Sequence, residues 1–276
     1  MSSLRDIRRQ IHSVENIQKI TTAMERVAAV HLRRMQKKTE ARAPYIAEIR
    51  KILDQVASGD IKHPLFEKRK VKKTGLVVIA SDKGLAGSFN SAVFSYADNF
   101  LQKYVNDTIE LILIGRKGID HYIRRNWNIR LKLEGGGATT FIQIKELSDQ
   151  LIRWFLDGCY DEVWIIYTQY ISLTRKSIVA ERFLPIGKPS GVDQNYLFEP
   201  NVDEILADLL PRYSAACIQE AIGSSTAAEL SARIVAMQTA SKNSREMIGG
   251  LTLTKNKIRQ RDITREMIEI TSGAKD

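Results

Sequence analysis

Cysteine, histidine and aromatic residues are scarce in this 276-residue chain, and each scarcity removes a class of chemistry. The two cysteines, Cys159 and Cys217, have neither CxxC nor metal-ligand spacing, and the four histidines are scattered. A disulfide framework, a zinc site and a Ser/His/Asp or Cys/His nucleophilic set are therefore not written in the spacing, and both cysteines read as reduced and structural. No apolar run reaches the roughly 20 residues that span a bilayer, and the opening MSSLRDIRRQ lacks the apolar region of a secretory signal. The expectation is a protein that stays in the compartment where it is made, without direct membrane insertion. Aromatic residues, 7% of the chain, supply no evident base-stacking platforms for nucleic acid.

Positive charge is present in excess. Forty-two Lys and Arg against 32 Asp and Glu leave a net charge of +10, which calls for nucleic acid, an anionic membrane surface or an acidic protein as partner. Arg5, Arg8, Arg9, Lys19, Arg26, Arg33, Arg34, Lys37 and Lys38 all fall on the first helical segment. A solvated helix face accounts for about half of them. With no nucleic-acid reader motif visible, an acidic protein partner is the more attractive explanation for the rest.

Residues 3 to 57 read as one helix, opened by the capping pattern Ser3-x-x-Asp6. Its apolar stripe is Leu4, Ile7, Ile11, Val14, Ile17, Ile20, Met24 and Val27, as narrow as a coiled-coil seam. Consecutive three-residue steps from Ile11 to Ile20 depart from a strict heptad and predict a locally disturbed supercoil. Pro44 predicts a kink and Gly59 a stop. A straight helix of that span is roughly 80 Å long.

The period then changes. The segments TGLVVIASDKGLAGSF, TIELILIGRKGIDHYI and YDEVWIIYTQYI place β-branched and apolar runs before polar or glycine-containing turns. The third leads toward another strand-like stretch, KSIVAERFLPI. The alternation predicts an α/β domain with a largely parallel sheet over about residues 75 to 195, entered through the basic connector EKRKVKKTG and containing the loop EGGGATT. From Asn201-x-x-Glu204 the helical pattern returns and runs almost to the end, with Pro211 and Gly223-Ser224-Ser225 as weak points. Ser241, Ser244, Lys255 and Asp262 fall on its continuing stripe, so the segment builds no self-sufficient core. The closing NKIRQRDITREMIEITSG has an equally thin stripe of Ile258, Ile263, Met267 and Ile270. The two terminal helices are expected to cover each other as an antiparallel pair.

Two segments invite a catalytic reading. SDKGLAGSFN, residues 81 to 90, follows a strand and precedes a helix as a phosphate-binding loop does, but it is neither GxGxxG nor GxxxxGK[ST]. Gly84 and Gly87 are explained as well by a tight strand-to-helix turn. Asp161-Glu162 reads as a solvated loop pair. A nucleotide- or NAD-dependent enzyme on the α/β domain and a basic coiled-coil nucleic-acid binder are the competing readings, and neither accounts for both terminal helices.

IRRQIHSVENIQKITTAMERVAAVHLRRMQ at 7 to 36, SDKGLAGSFN, ARIVAMQTASKN at 232 to 243 and NKIRQRDITREMIEITSG at 256 to 273 together resemble the gamma subunit family of the rotary F-type ATP synthase, over nearly the whole chain. The resemblance implies an antiparallel coiled coil of both termini (1–60 and 201–276) and a Rossmann-like α/β base with its basic linker and foot (61–200). It implies a central-stalk rotor that couples ion flow, expected to be of protons, through a c-ring to ATP synthesis or hydrolysis. The catalytic sites belong to the beta subunits, and this chain has no catalytic, cofactor or metal site of its own. The implied partners are the ring of alpha and beta subunits, epsilon and the c-ring, with no nucleic acid. The implied location is peripheral, on the cytoplasmic face of the bacterial membrane.

By the same resemblance, Met24, Arg26, Lys83 and Ala86 meet acidic loops of the beta subunits. Arg259 and Gln260 engage a beta-subunit loop nearer the catalytic sites. Tyr196, Phe198 and Glu199, in NYLFEP, match the foot on the c-ring and epsilon. Matching segments of the two helices are expected to face each other with Met24 near the level of Gln260. The chain departs from the family pattern at Lys255, where many members have Tyr, at SLTRKSIVAE, and at Pro211. It also lacks the cysteine-bearing insertion of chloroplast members. A start without an Arg- and Ser-rich presequence favours a bacterial chain.

Overall fold

The computed structural model describes residues 4–56, 63–103, 108–135, 140–187 and 201–273. Contacts group the chain into two compact units, Met1–Ala29 with Arg233–Asp276, and Val30–Ala232. The division falls within the two long helices, α1 (Leu4–Val56) and α5 (Val202–Gly273), and not at their ends.

The larger unit is built on a five-stranded sheet of β1 (Lys73–Ile79), β2 (Thr108–Ile114), β3 (Ile129–Leu133), β4 (Glu162–Tyr170) and β5 (Lys176–Leu184), in the order β3-β2-β1-β4-β5. The first four strands are parallel and β5 runs antiparallel to β4 at the edge. This is the largely parallel sheet expected from the alternating strand and helix patterns, with KSIVAERFL as the returning edge strand. α2 (Phe89–Lys103), α3 (Arg116–Ile123) and α4 (Phe141–Leu156) follow β1, β2 and β3.

Alternate residues of the strands feed two cores, because successive side chains of a strand point to opposite faces. Val77, Ile79, Ile112 and Ile114 join α4 through Ile144, Leu147 and Leu151, and join α1 and α5 through Leu53, Leu206 and Ile218. Leu76, Val78, Leu111 and Leu113 join α2 and α3 through Phe89, Val93, Ala97 and Tyr122, with Ala228 of α5. Six of the seven residues of β1 are buried, as expected for a central parallel strand covered on both faces.

Pro44 and Pro211 lie inside continuous helices. At Pro211 the neighbours Leu209 and Leu210 are buried in the core, so packing outweighs the lost backbone hydrogen bond. α5 opens as Asn201-x-x-Glu204 foretells. Asn201 Oδ1 accepts from the Glu204 amide at 2.8 Å, and its Nδ2 donates to the Glu204 carboxylate at 2.7 Å.

Asp161 and Glu162 are not a solvated pair. Asp161 Oδ2 accepts the amides of Lys72 at 2.8 Å and Lys73 at 2.9 Å, fastening the start of β1. Glu162 begins β4, is 7% exposed and lies 3.5 Å from the Thr74 hydroxyl that donates to it. The adjacent acids looked like a loop because charge outweighed the strand pattern that follows them. Both cysteines are free thiols, and burial pushes the Cys217 thiol above its ordinary pKa, in keeping with a structural role.

Candidate functional site: the helical seam and the turn after the first strand

In the smaller unit, two side-chain contacts define how α1 and α5 pair. Thr22 Oγ1 is 3.2 Å from Ser241 Oγ, and Gln238 Nε2 donates to Glu25 Oε1 at 2.9 Å. As the number rises along one helix it falls along the other, so the pairing is antiparallel, and both pairs share a residue-number sum of 263. Met24 is therefore level with Thr239, and Gln260 lies 21 residues farther along α5, roughly 30 Å at 1.5 Å per residue. The expected level of Met24 with Gln260 is thus corrected.

Among the less exposed positions of α1 in this unit, Ile7, Ile11, Val14, Gln18, Thr21, Glu25 and Ala28 form a row of alternating four- and three-residue steps, flanked by Glu15, Thr22 and Ala29. On α5 the matching row is Ile234, Met237, Ser241, Ser244, Ile248, Leu251, Lys255, Ile258 and Asp262, again in heptad spacing, flanked by Ala236, Ala240, Thr252 and Asn256. No stutter is present. The three-residue steps read from the sequence arise because the apolar residues switch rows. Ile11 and Val14 lie on the seam, whereas Ile17, Ile20, Met24 and Val27 occupy the neighbouring row and are 38–57% exposed.

The middle of the seam is a layer of hydroxyls. Thr21, Ser241 and Ser244 are buried and Thr22 is half-buried. Thr22 donates to the Gln18 carbonyl at 2.8 Å, which leaves Ser241 as donor to Thr22. Thr21 donates to the same carbonyl at 3.0 Å, and Ser244 to Ala240 O at 2.9 Å. Each buried hydroxyl is satisfied, so the layer avoids the penalty of an orphaned polar group, about 1–3 kcal/mol. It contributes little apolar burial and disfavours any slip that would set Ile or Leu against Ser.

From residue 260 onward the register leaves α5 without a counterpart in α1, which begins at Leu4. Ile263, Met267, Ile268 and Ile270 are accordingly exposed, Ile270 by 71%. Arg259 and Gln260 stand on the exposed side of α5, as Arg26 does on α1. The described residues of the smaller unit, 4–29 and 233–273, carry thirteen Lys and Arg against seven Asp and Glu, which is +6 of the chain's +10.

The second candidate surface is the turn between β1 and α2. Ser81 N donates to Asn90 Oδ1 at 3.1 Å, and Ser81 Oγ donates to the Lys83 carbonyl at 2.8 Å while accepting from Asn90 Nδ2 at 2.7 Å. Lys83 is exposed. Ala86 is only 3% exposed and belongs to the core under α2, which leaves it little surface to offer a partner; the exposed apolar tip is Leu85, 62% exposed at φ 62°. Leu85 has no signal in the sequence, since an apolar residue in a turn is ordinarily expected to be buried and its exposure follows from the turn's left-handed backbone. Tyr196, Phe198 and Glu199 lie outside the described residues.

At the C-terminal end of β4, beside the switch point where a doubly wound sheet often holds a ligand, the chain places its own helices. The Tyr170 amide donates to Ser224 Oγ of α5 at 2.9 Å, and Gln36 Nε2 of α1 donates to the Tyr170 hydroxyl at 3.2 Å. Among the described residues no group of three or more His, Cys, Asp or Glu is placed to hold a metal ion, and no helix is long and apolar enough to cross a membrane.

The family model for ATP synthase matches residues 3–275. The ATP synthase gamma chain of Protochlamydia amoebophila is 45% identical, and that of Desulforamulus reducens 37% identical, each over 99% of both chains. Among solved structures, a chain of the Euglena gracilis mitochondrial ATP synthase in an OSCP/F1/c-ring assembly shares the fold at TM-score 0.73 and 18% identity, covering 98% of this chain and 93% of that one. A chain of the Tetrahymena thermophila mitochondrial ATP synthase central stalk and c-ring does so at 0.64 and 23%, covering 80% and 99%. Two full-length relatives at this identity, with the family match, settle the assignment: the chain belongs to the ATP synthase gamma chain family.

Proposed function

We propose that this chain, the central-stalk rotor subunit of an F-type ATP synthase, acts on the catalytic sites of the beta subunits through surfaces that its own seam leaves uncovered. The observation that carries this is the displaced apolar row. Ile17, Ile20, Met24 and Val27 stay exposed beside a stretch of seam whose buried residues include Thr21, Ala28, Ser241 and Ser244, a poor use of apolar surface unless another chain covers it. Met24 and Arg26 on α1, Arg259 and Gln260 on α5, and Lys83 and Leu85 at the β1–α2 turn, with Ala86 buried beneath them, are the contacts offered to the beta subunits. Their basic character suits acidic loops.

An asymmetric pair of helices inside a nearly threefold ring presents a different face to each beta site. That difference in contact free energy is what can bias identical sites into different conformations. In this reading the chain is a mechanical element with no catalytic site. It is peripheral at the cytoplasmic face of the membrane, and its foot, with Tyr196, Phe198 and Glu199, meets the c-ring and epsilon. The test is affinity purification of the tagged chain from its own cells. Alpha, beta, epsilon and c subunits in fixed proportion are expected, with ATP hydrolysis that pumps ions into vesicles. Recovery of the chain without them would refute the assignment of partners.

A further inference from the structure

The turn after β1 is held by the ends of the neighbouring strands as well as by its own backbone. Asp82 Oδ1 accepts the amide of Arg116 at 3.1 Å and the amide of Gly135 at 2.9 Å. These residues follow β2 and β3, so one carboxylate oxygen joins three consecutive strand ends of the parallel sheet. The Lys117 amide donates to Ser81 O at 3.0 Å, and the Gly115 amide to Leu133 O at 2.8 Å, closing the same seat. The seat exists because residue 115 is glycine. At its φ of 96°, a Cβ would lie 2.2 Å from the Ala80 carbonyl oxygen.

Beyond this seat the turn stands out from the sheet, with Lys83, Gly84 and Leu85 exposed. A Cβ at Gly84 would meet no atom within 4 Å, and Leu85 and Gly87 both take left-handed conformations, φ 62° and 58°. Lys83 and Leu85 stand on this outer part. A lateral push on them would rotate the turn unless its inner end were fixed in more than one direction. Asn90 fixes it toward α2, and Asp82 fixes it toward β2 and β3.

We propose that Asp82 is the positioning residue of the Lys83–Leu85 contact surface: its two accepted hydrogen bonds pass a load applied at these side chains into the sheet and keep the turn from hinging. The proposal rests on the beta-contact reading given above. What it requires of residue 82 is an acceptor oxygen at one place, not a negative charge. Asn supplies a carbonyl oxygen at the same distance from the backbone, with two lone pairs for two amides. Glu keeps the charge and moves the oxygen by a methylene. Ala removes the acceptor.

The experiment uses the assembled ATP synthase in vesicles, reading ions pumped per ATP hydrolysed together with amide exchange at Arg116 and Gly135. Asp82→Ala and Asp82→Glu should each speed exchange at the two amides about tenfold and lower pumping per ATP at least twofold. Asp82→Asn should restore both to within twofold of the parent. Should Asp82→Ala fail to assemble, Asp82→Glu against Asp82→Asn makes the same comparison. Lys83→Ala with Leu85→Ala tests the contact itself. If that pair lowers pumping per ATP while Asp82→Ala and Asp82→Glu leave it unchanged, the positioning role is wrong and the contact stands. If none of them lowers it, the contact reading fails and the positioning role with it. If Asp82→Asn is as damaging as Asp82→Ala, charge and not acceptor geometry matters, and the proposal is overturned.

Discussion

The hydroxyls of Thr22 and Ser241 stand 3.2 Å apart across the seam of α1 and α5, and this pair fixes which residues of the two helices are level. Cysteines at 22 and 241 should therefore form a disulfide readily on mild oxidation, since sulfurs at those positions need only a small closure to about 2.05 Å. Cysteines replacing Met24 and Gln260, roughly 30 Å apart along the axis, should not. Gel mobility with and without reductant reads the result, and the reverse pattern would replace this register by another.

Arg259→Ala and Gln260→Ala should lower coupled turnover more than assembly. Hydrogen bonds to charged groups contribute about 1.5–3 kcal/mol each, enough to shift a conformational balance tenfold or more, whereas an exposed ion pair contributes about 0–1 kcal/mol. Lys37→Ala, at an exposed position of the larger unit, should leave the rate nearly unchanged. ATP hydrolysis and ion-driven synthesis by reconstituted enzyme, with subunit content checked on gels, measure both. A normal rate for Arg259→Ala beside a low one for Lys37→Ala would move the torque surface elsewhere.

The α/β architecture was legible because apolar strands and capped helices announce themselves locally, as Asn201 with Glu204 and Leu76 with Val78 do. The seam was not legible in the same way. Hydropathy points to Ile17, Ile20 and Met24, yet the buried row runs through Thr21 and Ala28. The apolar side chains of that row stay exposed beside the seam, so a rule equating apolar with buried picks the wrong row. Asp82 carries no sequence signal of its own, because its partners, the amides of Arg116 and Gly135, are remote in sequence and have no side-chain signature.

Gly115→Ala should destabilise the larger unit strongly. A left-handed backbone at a non-glycine residue costs about 1–3 kcal/mol, and the overlap with the Ala80 carbonyl adds to it. Gly84→Ala, with open space around its Cβ, should stay within about 0.5 kcal/mol of the parent. Urea unfolding of the two variants gives the comparison. Equal midpoints would mean that the turn does not sit against Gly115 as described.

Stability should fall as the pH drops below neutrality, and His121 should account for part of the fall. Burial against Phe94, 4.1 Å between ring centroids, and the adjoining Arg125 guanidinium lower its pKa, while Asp98 at 3.7 Å partly offsets them. Lys117, Asp120 and Arg124 line the same cavity. Because the folded state favours the neutral ring, the unfolded chain takes up the proton first. The stabilisation is complete above about pH 6.5, the ordinary histidine value, and is lost as the pH falls below it. Burial of His63 acts in the same direction. Denaturation midpoints between pH 7.5 and 5 should decline less steeply in His121→Gln than in the parent; an equal slope would remove His121 from the account.

Rotation of this chain within the ring is the central claim, and single-molecule observation tests it most directly. With the alpha and beta subunits fixed to glass, a bead is tethered to a cysteine replacing the exposed Ser91, in a chain whose Cys159 and Cys217 are replaced by Ser and Ala. On adding ATP the bead is predicted to turn in one direction with three dwells per revolution, one for each catalytic site. A bead that stays still while the same complexes hydrolyse ATP would contradict the account.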